Sequence, residues 1–301
     1  MHDTVVATLR SVGAALVSAA DEEARVLPVI AALAAEAAAS PMDDPLRRVS
    51  VSVDTFYASV ARAAVAAGAA IINDVSGGVL DPLMLDTAAE LGVPAILMHM
   101  RGTPRSMALL AAYGETRAPG PDSAPASAEA LQIAEEAGVV SAVVAELSER
   151  CRAAQSAGMF SWNIILDPGL GFAKAPVHSY ALMRQSLRTG DWLSMYWPAC
   201  LPAGTTTRIA AALPASSALT LPFPLLFGPS RKGFIVAACV GDGRVGGGPA
   251  AGPGRDWGSA AAVTACVLRG ADFVRVHNPE AMRDVVAVAD AIHRGFSAGV
   301  Q

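Results

Sequence analysis

Six short apolar runs along the chain each end in a polar residue that could take part in chemistry, and Ala-rich stretches with helical spacing lie between most of them. Near-continuous apolar runs are typical of strands that are buried on both faces of a parallel sheet. Alternation of such strands with helices predicts a barrel whose strands present their carboxyl ends, and the active site, on one face. The six runs are SVDT (Ser52–Thr55), IIND (Ile71–Asp74), ILMHM (Ile96–Met100), IILDPG (Ile164–Gly169), LLFGPSRK (Leu225–Lys232) and VRVH (Val274–His277).

Apolar residues at helical spacing predict amphipathic helices between the strand-like runs. The first helix carries an apolar stripe with Pro28 inside it, as a kink or as the true start of the helix. The last begins at Pro279 and presents apolar residues at intervals suited to one buried face. The other predicted helices are 59–67, 82–90 and 127–157; the stripes are Val26, Val29, Ile30 and Leu33 in the first helix (21–36) and Met282, Val285, Val286, Ala289 and Ile292 in the last.

These elements predict a single α/β domain over residues 1–301 with the architecture of a TIM (β/α)8-type barrel. A complete barrel of this type has eight strands, and about six are identifiable, so the expected barrel is amino-terminally incomplete. The stretch at 189–224 has no clear period and is predicted to be an insertion. The stretch at 241–254 is rich in glycine and is predicted to be a flexible loop.

Composition narrows the functional classes. A formal net charge of −5 argues against a nucleic-acid-binding surface, which needs clustered Lys and Arg. No apolar run reaches the roughly 18 residues of a membrane span, and no secretory signal is indicated. The four cysteines are widely separated without a C-x-x-C pair, so no metal ligand is predicted. The protein is expected to be cytoplasmic and to bind neither nucleic acid nor membrane.

Polar side chains at three strand ends could recognise a flat heterocycle. Asp54 and Asp167 offer carboxylates to ring N–H groups, and Asn73 offers both a donor and an acceptor. Met98 either belongs to the core or forms an apolar wall against a ring. The structural alternatives are a helix cap for Asp54 and turns before glycines for Asn73 and Asp167.

A second set of residues near the end of the chain is cationic. Ser230, Arg231 and Lys232 follow a strand and a Gly-Pro turn, where they could bind an anion beside a helix start. Arg275 and His277 alternate on the last strand, and burying cations there is costly unless an anion offsets their charge. The alternatives are an exposed basic turn and a surface-facing pair. Both sets together predict a ligand with a hydrogen-bonding ring and a leaving pyrophosphate.

The motifs SVDT, AGAAIINDVSGG, LMHMRGTP, ILDPGLGFAK, GPSRKGF and VRVH, in this order, resemble those of dihydropteroate synthase, a pterin-binding TIM barrel of folate biosynthesis. The resemblance extends over about residues 22–294, interrupted by 189–224. It implies a transferase that condenses 6-hydroxymethyl-7,8-dihydropterin diphosphate with 4-aminobenzoate. The products would be 7,8-dihydropteroate and pyrophosphate.

The resemblance also implies roles for individual residues. The implied mechanism is dissociative, with pyrophosphate leaving first and the pocket carboxylates stabilising a pterin cation. By resemblance, Asp54, Asn73, Asp167 and Lys232 hold the pterin, Met98 contacts substrate, Arg275 and His277 bind the diphosphate, Phe172 and Ser230 lie near the aminobenzoate, and Asp54, Asp167 and Lys232 act in catalysis.

The resemblance further implies Mg²⁺ as a cofactor and a homodimer formed through late helices. The GFAK, SRKGF and DWG motifs are most similar to forms fused behind a pyrophosphokinase in eukaryotes. A mitochondrial location is the alternative if an upstream targeting region is missing. The family's first two strands, including the Asn that binds magnesium and a closing loop, have no counterpart among these motifs. The chain is therefore expected to keep the pterin pocket and to lack the catalytic closure.

Two other hypotheses stay open. A pterin-binding methyltransferase of the same barrel type would need the ring-binding residues but not the cationic set, so Lys232 and Arg275 argue against it. An inactive or truncated fragment of a bifunctional pyrophosphokinase–synthase is favoured by the unmatched first strands.

Overall fold

The computed structural model describes residues 17–103, 106–113, 128–184, 223–240 and 255–295. The chain forms two compact units, the first from residues 1–108 with 149–166 and the second from residues 109–148 with 167–301. The predicted glycine-rich loop lies outside the described residues, and so does the predicted insertion apart from its last two residues. A single domain over the whole chain stays a prediction.

The first unit is built on a sheet of four strands in the order β1, β2, β3, β4. The pairs β1–β2 and β2–β3 are parallel. The strands begin and end close to the predicted positions, although β1 is shorter than the apolar run that contains it. The strands are β1 (Ser52–Asp54), β2 (Ile71–Asp74), β3 (Ala95–Met98) and β4 (Ile164–Asp167).

Helices of the first unit begin and end where local chemistry satisfies their terminal backbone groups. Helix α1 begins after Ser18, whose hydroxyl accepts a hydrogen bond from the Asp21 N–H over 3.2 Å. Helix α3 ends at Gly92, which adopts the left-handed conformation with φ +67. The helices are α1 (Ala19–Ala39), α2 (Ala58–Ala66), α3 (Met84–Leu91) and the end of α4 (Ala128–Ser156) from Glu149 onward.

The structure of α1 decides between the two alternatives for Pro28 and corrects the predicted apolar stripe. The helix continues through Pro28, so this residue is not its start. Of the predicted stripe, Ile30 is buried, whereas Val29 and Leu33 are each 39% exposed. The buried stripe is narrower than predicted because α1 packs through Ile30 against a single small cluster. That cluster consists of Val53, Ala64 and Ala69.

The second unit contains the parallel strand pair β5–β6, residues 128–148 of α4 and four further described helices. Helices α7 and α8 pack on each other through Val263, Val267, Met282 and Ala289. The predicted buried face of α8 is wrong at Ile292, which is 68% exposed because the cluster ends at Ala289. The elements are β5 (Leu226–Phe227), β6 (Phe273–Val274), α5 (Pro176–Arg184), α6 (Gly233–Val240), α7 (Asp256–Leu268) and α8 (Pro279–Arg294).

Among the described residues, every helix is too short or too polar to cross a bilayer.

Candidate functional site

The first candidate cluster, defined as Asp54, Asn73 and Met98, is arranged by the register of the sheet in the first unit. Asp54 lies directly beside Asn73, and Asn73 beside Ile96, in neighbouring parallel strands. Aligned residues point to the same face, and so does Met98, two residues beyond Ile96. The Asn73 amide donates a hydrogen bond to Asp54 Oδ1 over 2.5 Å. The cluster therefore presents a carboxylate and an amide on the same face as a buried methionine.

The turn and helix-cap roles considered as alternatives for Asn73 and Asp54 are filled in this unit by Asp74 and Asp81. Asp74 accepts hydrogen bonds from the N–H groups of Ser76 (2.7 Å) and Gly78 (2.6 Å) and so shapes the loop after β2. Its burial raises the pKa of Asp74, and the hydrogen bonds and the Arg150 charge oppose that rise. Asp81 accepts a hydrogen bond from the Ala58 N–H over 2.8 Å and so caps the start of α2. Asp54 was the residue considered for this capping role.

Arg150 is a residue of this unit that the sequence patterns did not reveal. It lies in α4, is only 9% exposed, and donates hydrogen bonds to the backbone carbonyls of Met98 and, over 2.6 Å, Met100. The sequence does contain a signal for its burial. Arg150 lies three residues after the buried Leu147 and four before the buried Ala154, so it shares the apolar face of α4.

The second candidate cluster consists of six residues of the second unit and centres on a buried carboxylate. Asp167 is 5% exposed and accepts a hydrogen bond from the Gly169 N–H over 2.7 Å. Burial raises the pKa of Asp167, and the positive charges of Lys232, Lys174 and Arg275 oppose the rise. The cluster comprises Asp167, Phe172, Ser230, Lys232, Arg275 and His277. The carboxylate belongs to the last residue of β4, at the strand end.

Lys232 reaches across the loop that follows Asp167. Its Nζ donates a hydrogen bond to the Leu170 carbonyl and lies 4.8 Å from the centroid of the Phe172 ring, in cation–π contact. Burial of the Cys266 thiol, together with the negative charge of the nearby Asp167 carboxylate, raises the pKa of Cys266 to about 12. The thiol therefore stays protonated and unreactive.

The predicted cationic set divides into two groups. Arg275 and His277 follow β6 instead of alternating within it, because the strand ends at Val274. The Arg275 N–H donates to the Phe227 carbonyl over 2.9 Å, and the His277 N–H donates to Ser230 Oγ over 3.3 Å, which holds both next to the end of β5. His277 Nδ1 also lies 3.1 Å from Ser230 Oγ.

Arg231 forms an ion pair of its own. It has a left-handed backbone with φ +55, and its Nε and Nη2 donate to the two oxygens of Asp256 over 3.0 and 3.2 Å. These hydrogen bonds, with one from Asn278, lower the pKa of Asp256. The geometry thus gives Arg231 a carboxylate partner, in contrast to the anion-binding role considered for the Ser230–Lys232 segment.

A buried histidine in the second unit, which the motifs also did not reveal, holds the loop that carries Phe172. His178 Nδ1 accepts from the Ala175 N–H over 3.0 Å, so the ring proton lies on Nε2, 2.8 Å from Glu135 Oε1. In the same loop, Lys174 Nζ donates to the Phe172 carbonyl over 3.0 Å. Since the Gly169 N–H donates to Asp167 at the other end, the loop between Asp167 and α5 is held at both ends.

The described residues contain no group of three or more His, Cys, Asp or Glu side chains that could hold a metal ion.

Comparison with known proteins identifies relatives over almost the whole chain. The family described as Pterin binding enzyme matches residues 7–277. The folic acid synthesis protein fol1 of Schizosaccharomyces pombe is 36% identical, over 93% of this chain and 30% of that protein. The dihydropteroate synthase of Synechocystis is 35% identical, over 94% of this chain and 73% of its own length. The mitochondrial folate synthesis bifunctional protein of Pisum sativum is 35% identical, over 96% of this chain and 45% of that protein. The chain thus spans less than half of two of these relatives.

A solved structure supports the same assignment. Dihydropteroate synthase from Xanthomonas albilineans in complex with 7,8-dihydropteroate matches with a TM-score of 0.59 and 30% identity, over 92% of this chain and 75% of that one. The predicted TIM-barrel class and the resemblance drawn from the motifs are confirmed by these relatives. The chain belongs to the dihydropteroate synthase family of pterin-binding enzymes.

Proposed function

We propose that this chain is a transferase that condenses 6-hydroxymethyl-7,8-dihydropterin diphosphate with 4-aminobenzoate to give 7,8-dihydropteroate and pyrophosphate. The observation that supports it most is the buried carboxylate of Asp167, with Lys232, Lys174 and Arg275 close enough to act on its pKa. A carboxylate among cations suits a substrate that joins an N–H-rich ring to an anionic leaving group.

In this proposal the ring is recognised by carboxylate and amide groups. Asp54 and Asn73 offer an acceptor and an amide on one face of the first unit's sheet, and Met98 shares that face. In the second unit, Asp167 accepts from ring N–H groups, and Lys232 donates to ring acceptors. Asp54, Asp167 and Lys232 are the proposed catalytic residues.

The cationic end of the second cluster is assigned to the diphosphate. Arg275 and His277 would bind its oxygens, and the hydrogen bonds of their backbone hold them in place. Phe172 and Ser230 would lie near the aminobenzoate. The ring of Phe172 already contacts the Lys232 ammonium, so an arylamine beside it would meet both an aromatic face and a cation.

The proposed reaction breaks the C–O bond between the pterin methylene and the diphosphate, and pyrophosphate leaves with the electron pair. The methylene carbon, now cationic and conjugated with the ring, is stabilised by the carboxylates of Asp54 and Asp167. The amine nitrogen of 4-aminobenzoate then attacks that carbon and loses a proton. When bound, the Mg²⁺ that the resemblance implies would offset the negative charge of the departing pyrophosphate.

The test is release of pyrophosphate by the purified chain supplied with the pterin diphosphate, 4-aminobenzoate and magnesium. Turnover that requires both aromatic substrates is the expected result. Release with the pterin diphosphate alone would indicate simple hydrolysis and contradict the proposal. Methyl transfer from methyltetrahydrofolate would instead identify the methyltransferase. Binding of the pterin diphosphate without turnover would favour the incomplete-enzyme hypothesis.

We also propose a homodimer formed through α7 and α8. Three large apolar side chains of these helices are strongly exposed: Trp257 (87%), Val288 (62%) and Ile292 (68%). Sedimentation of the wild-type chain should give the mass of a dimer, and Ile292→Glu should give that of a monomer. A monomeric wild type would contradict this assignment.

A cytoplasmic location is proposed, with the mitochondrial alternative suggested by the name of the Pisum sativum relative. The small share of the fol1 and pea proteins that this chain spans is consistent with a natural fusion to a pyrophosphokinase domain. Fractionation of source cells, followed by immunoblotting, would give both the compartment and the length of the native polypeptide.

A further inference from the structure

Arg150 is a buried arginine whose interactions reach the end of one strand and the loop after another. Its Nη1 donates to the carbonyl of Met98, the last residue of β3, and its Nη2 donates to the carbonyl of Met100 over 2.6 Å. The planar guanidinium presents donors in a fixed fork, so binding two carbonyls two residues apart fixes the direction of the backbone between them. His99, the residue between them, is fully buried.

The same side chain also packs under the loop after β2. A Cβ added to Gly77 would lie 2.8 Å from Arg150 Cδ and 2.8 Å from the Met98 carbonyl oxygen, so the glycine backbone is in close contact with both. Gly77 has φ +63, a conformation that glycine adopts without strain. Asp74, at the start of this loop, is close enough for the Arg150 charge to oppose its pKa rise. Arg150 therefore contacts the loop after Asn73 and the segment that begins with Met98.

Such a burial is costly unless the charge is compensated. The Arg150 residue is 9% exposed, so its charged group loses most of its hydration, and two carbonyl dipoles and a nearby carboxylate replace that hydration. If the side chain served only to pack α4 against the sheet, an apolar residue would do so at a lower desolvation cost. The fork geometry is needed where backbone carbonyls must be held in defined positions.

We propose that Arg150 is a positioning residue for the pterin ring, acting through the backbone that carries Asn73 and Met98. It touches no substrate itself. The inference rests on the proposed function, since the residues it orients are those assigned to ring recognition. It predicts that loss of the guanidinium weakens ring binding and leaves diphosphate binding, assigned to Arg275 and His277, unchanged.

The experiment measures two affinities by calorimetry, one for the pterin diphosphate and one for inorganic pyrophosphate. Arg150→Met keeps the length and apolar stem of the side chain and removes its donors. Arg150→Lys keeps the charge without the fork. Arg152→Met is the matched control, because Arg152 is an exposed residue of the same helix.

For Arg150→Met we expect the dissociation constant of the pterin diphosphate to rise about tenfold or more, because small displacements of ligand-orienting groups have effects of this size or larger. The affinity for pyrophosphate should change less than about twofold, since that ligand lacks the ring. Arg150→Lys should be intermediate, and Arg152→Met should match the wild type. If Arg150→Met does not fold, the comparison of Arg150→Lys with the wild type decides.

Equal pterin-diphosphate affinity in the folded Arg150 variants and the wild type would overturn this inference, even if the thermal midpoint falls. An equal loss for both ligands would overturn it as well, because it would indicate a general structural effect. A wild-type chain that binds pyrophosphate but not the pterin diphosphate would instead contradict the proposed function, and with it this inference.

Discussion

The two candidate clusters place polar groups at strand ends by different physical means. In the first, strand register sets Asp54 beside Asn73, and one hydrogen bond of 2.5 Å joins them. In the second, a carboxylate that is 5% exposed is compensated by three cations from the loops around it. One cluster is organised by backbone hydrogen bonds of a sheet, the other by electrostatics.

This difference indicates how each cluster should respond to mutation. A change in the first removes a local hydrogen bond and leaves the sheet, which holds the backbone, intact. A change in the second alters the balance of several charges at once, because the interactions in a buried network are coupled.

The largest effect is expected at Asp167. Asp167→Asn keeps the shape of the side chain and removes the charge that Lys232, Lys174 and Arg275 surround. Binding of the pterin diphosphate should weaken by about a hundredfold or more, equivalent to about 3 kcal/mol, as for other buried charged partners. Calorimetry would measure the loss. Asp284→Asn, which changes an exposed carboxylate of the same unit, is the control. Unchanged binding in Asp167→Asn would remove the residue from the site.

A smaller effect is expected in the first cluster. Asn73→Ala removes the amide donor to Asp54, and the free energy of unfolding should fall by about 1.5 kcal/mol, as for hydrogen bonds to charged groups. Urea denaturation would measure it. Asn163→Ala is the matched control, since its exposed amide donates to the neutral Gly92 carbonyl over 2.9 Å. A loss no larger than that of the control would mean that the Asp54 pairing adds nothing to stability.

The pH dependence should have opposite signs for two carboxylates of the second unit. The pKa of Asp256 is lowered from 3.8, so its stabilisation is present above pH 3.8 and is lost as the pH falls below that value. The pKa of Asp167 is raised from 3.8, so its contribution is present below pH 3.8 and is lost as the pH rises through its folded-state pKa.

Denaturation between about pH 3 and pH 7 would measure both trends. Relative to Asp256→Asn, the wild type should gain about 1 kcal/mol as the pH rises. Relative to Asp167→Asn, it should lose stability over the same range. Parallel trends for the two variants would contradict the assigned pKa directions.

The smallest effect is expected at an exposed ion pair of the first unit. Arg62 Nη2 lies 2.5 Å from Glu90 Oε2, and the two side chains are 52% and 63% exposed. Arg62→Met should change the free energy of unfolding by less than about 0.5 kcal/mol, because solvent screens such pairs. In the same assay, Arg150→Met should lower the free energy of unfolding more than Arg62→Met does, because Arg150 is buried and Arg62 is exposed.

Part of this arrangement was predictable from local patterns. The apolar runs placed all six described strands, and the strand-end residues Asp54, Asn73 and Asp167 fall where those runs end. Less was predictable where a side chain finds its partner in a distant segment. Arg150 bonds a carbonyl 52 residues away, and the exposed end of α8 at Ile292 depends on what packs beside it.

The order of strands and helices and the family were therefore determined by the sequence itself, because hydrophobic period and turn residues act over a few neighbours along the chain. Tertiary structure alone decided that Arg231 pairs with Asp256, that His178 contacts Glu135, and that Arg150 reaches Met98. Those contacts join segments far apart in the chain, and their energies depend on burial and geometry that arise only when the segments pack.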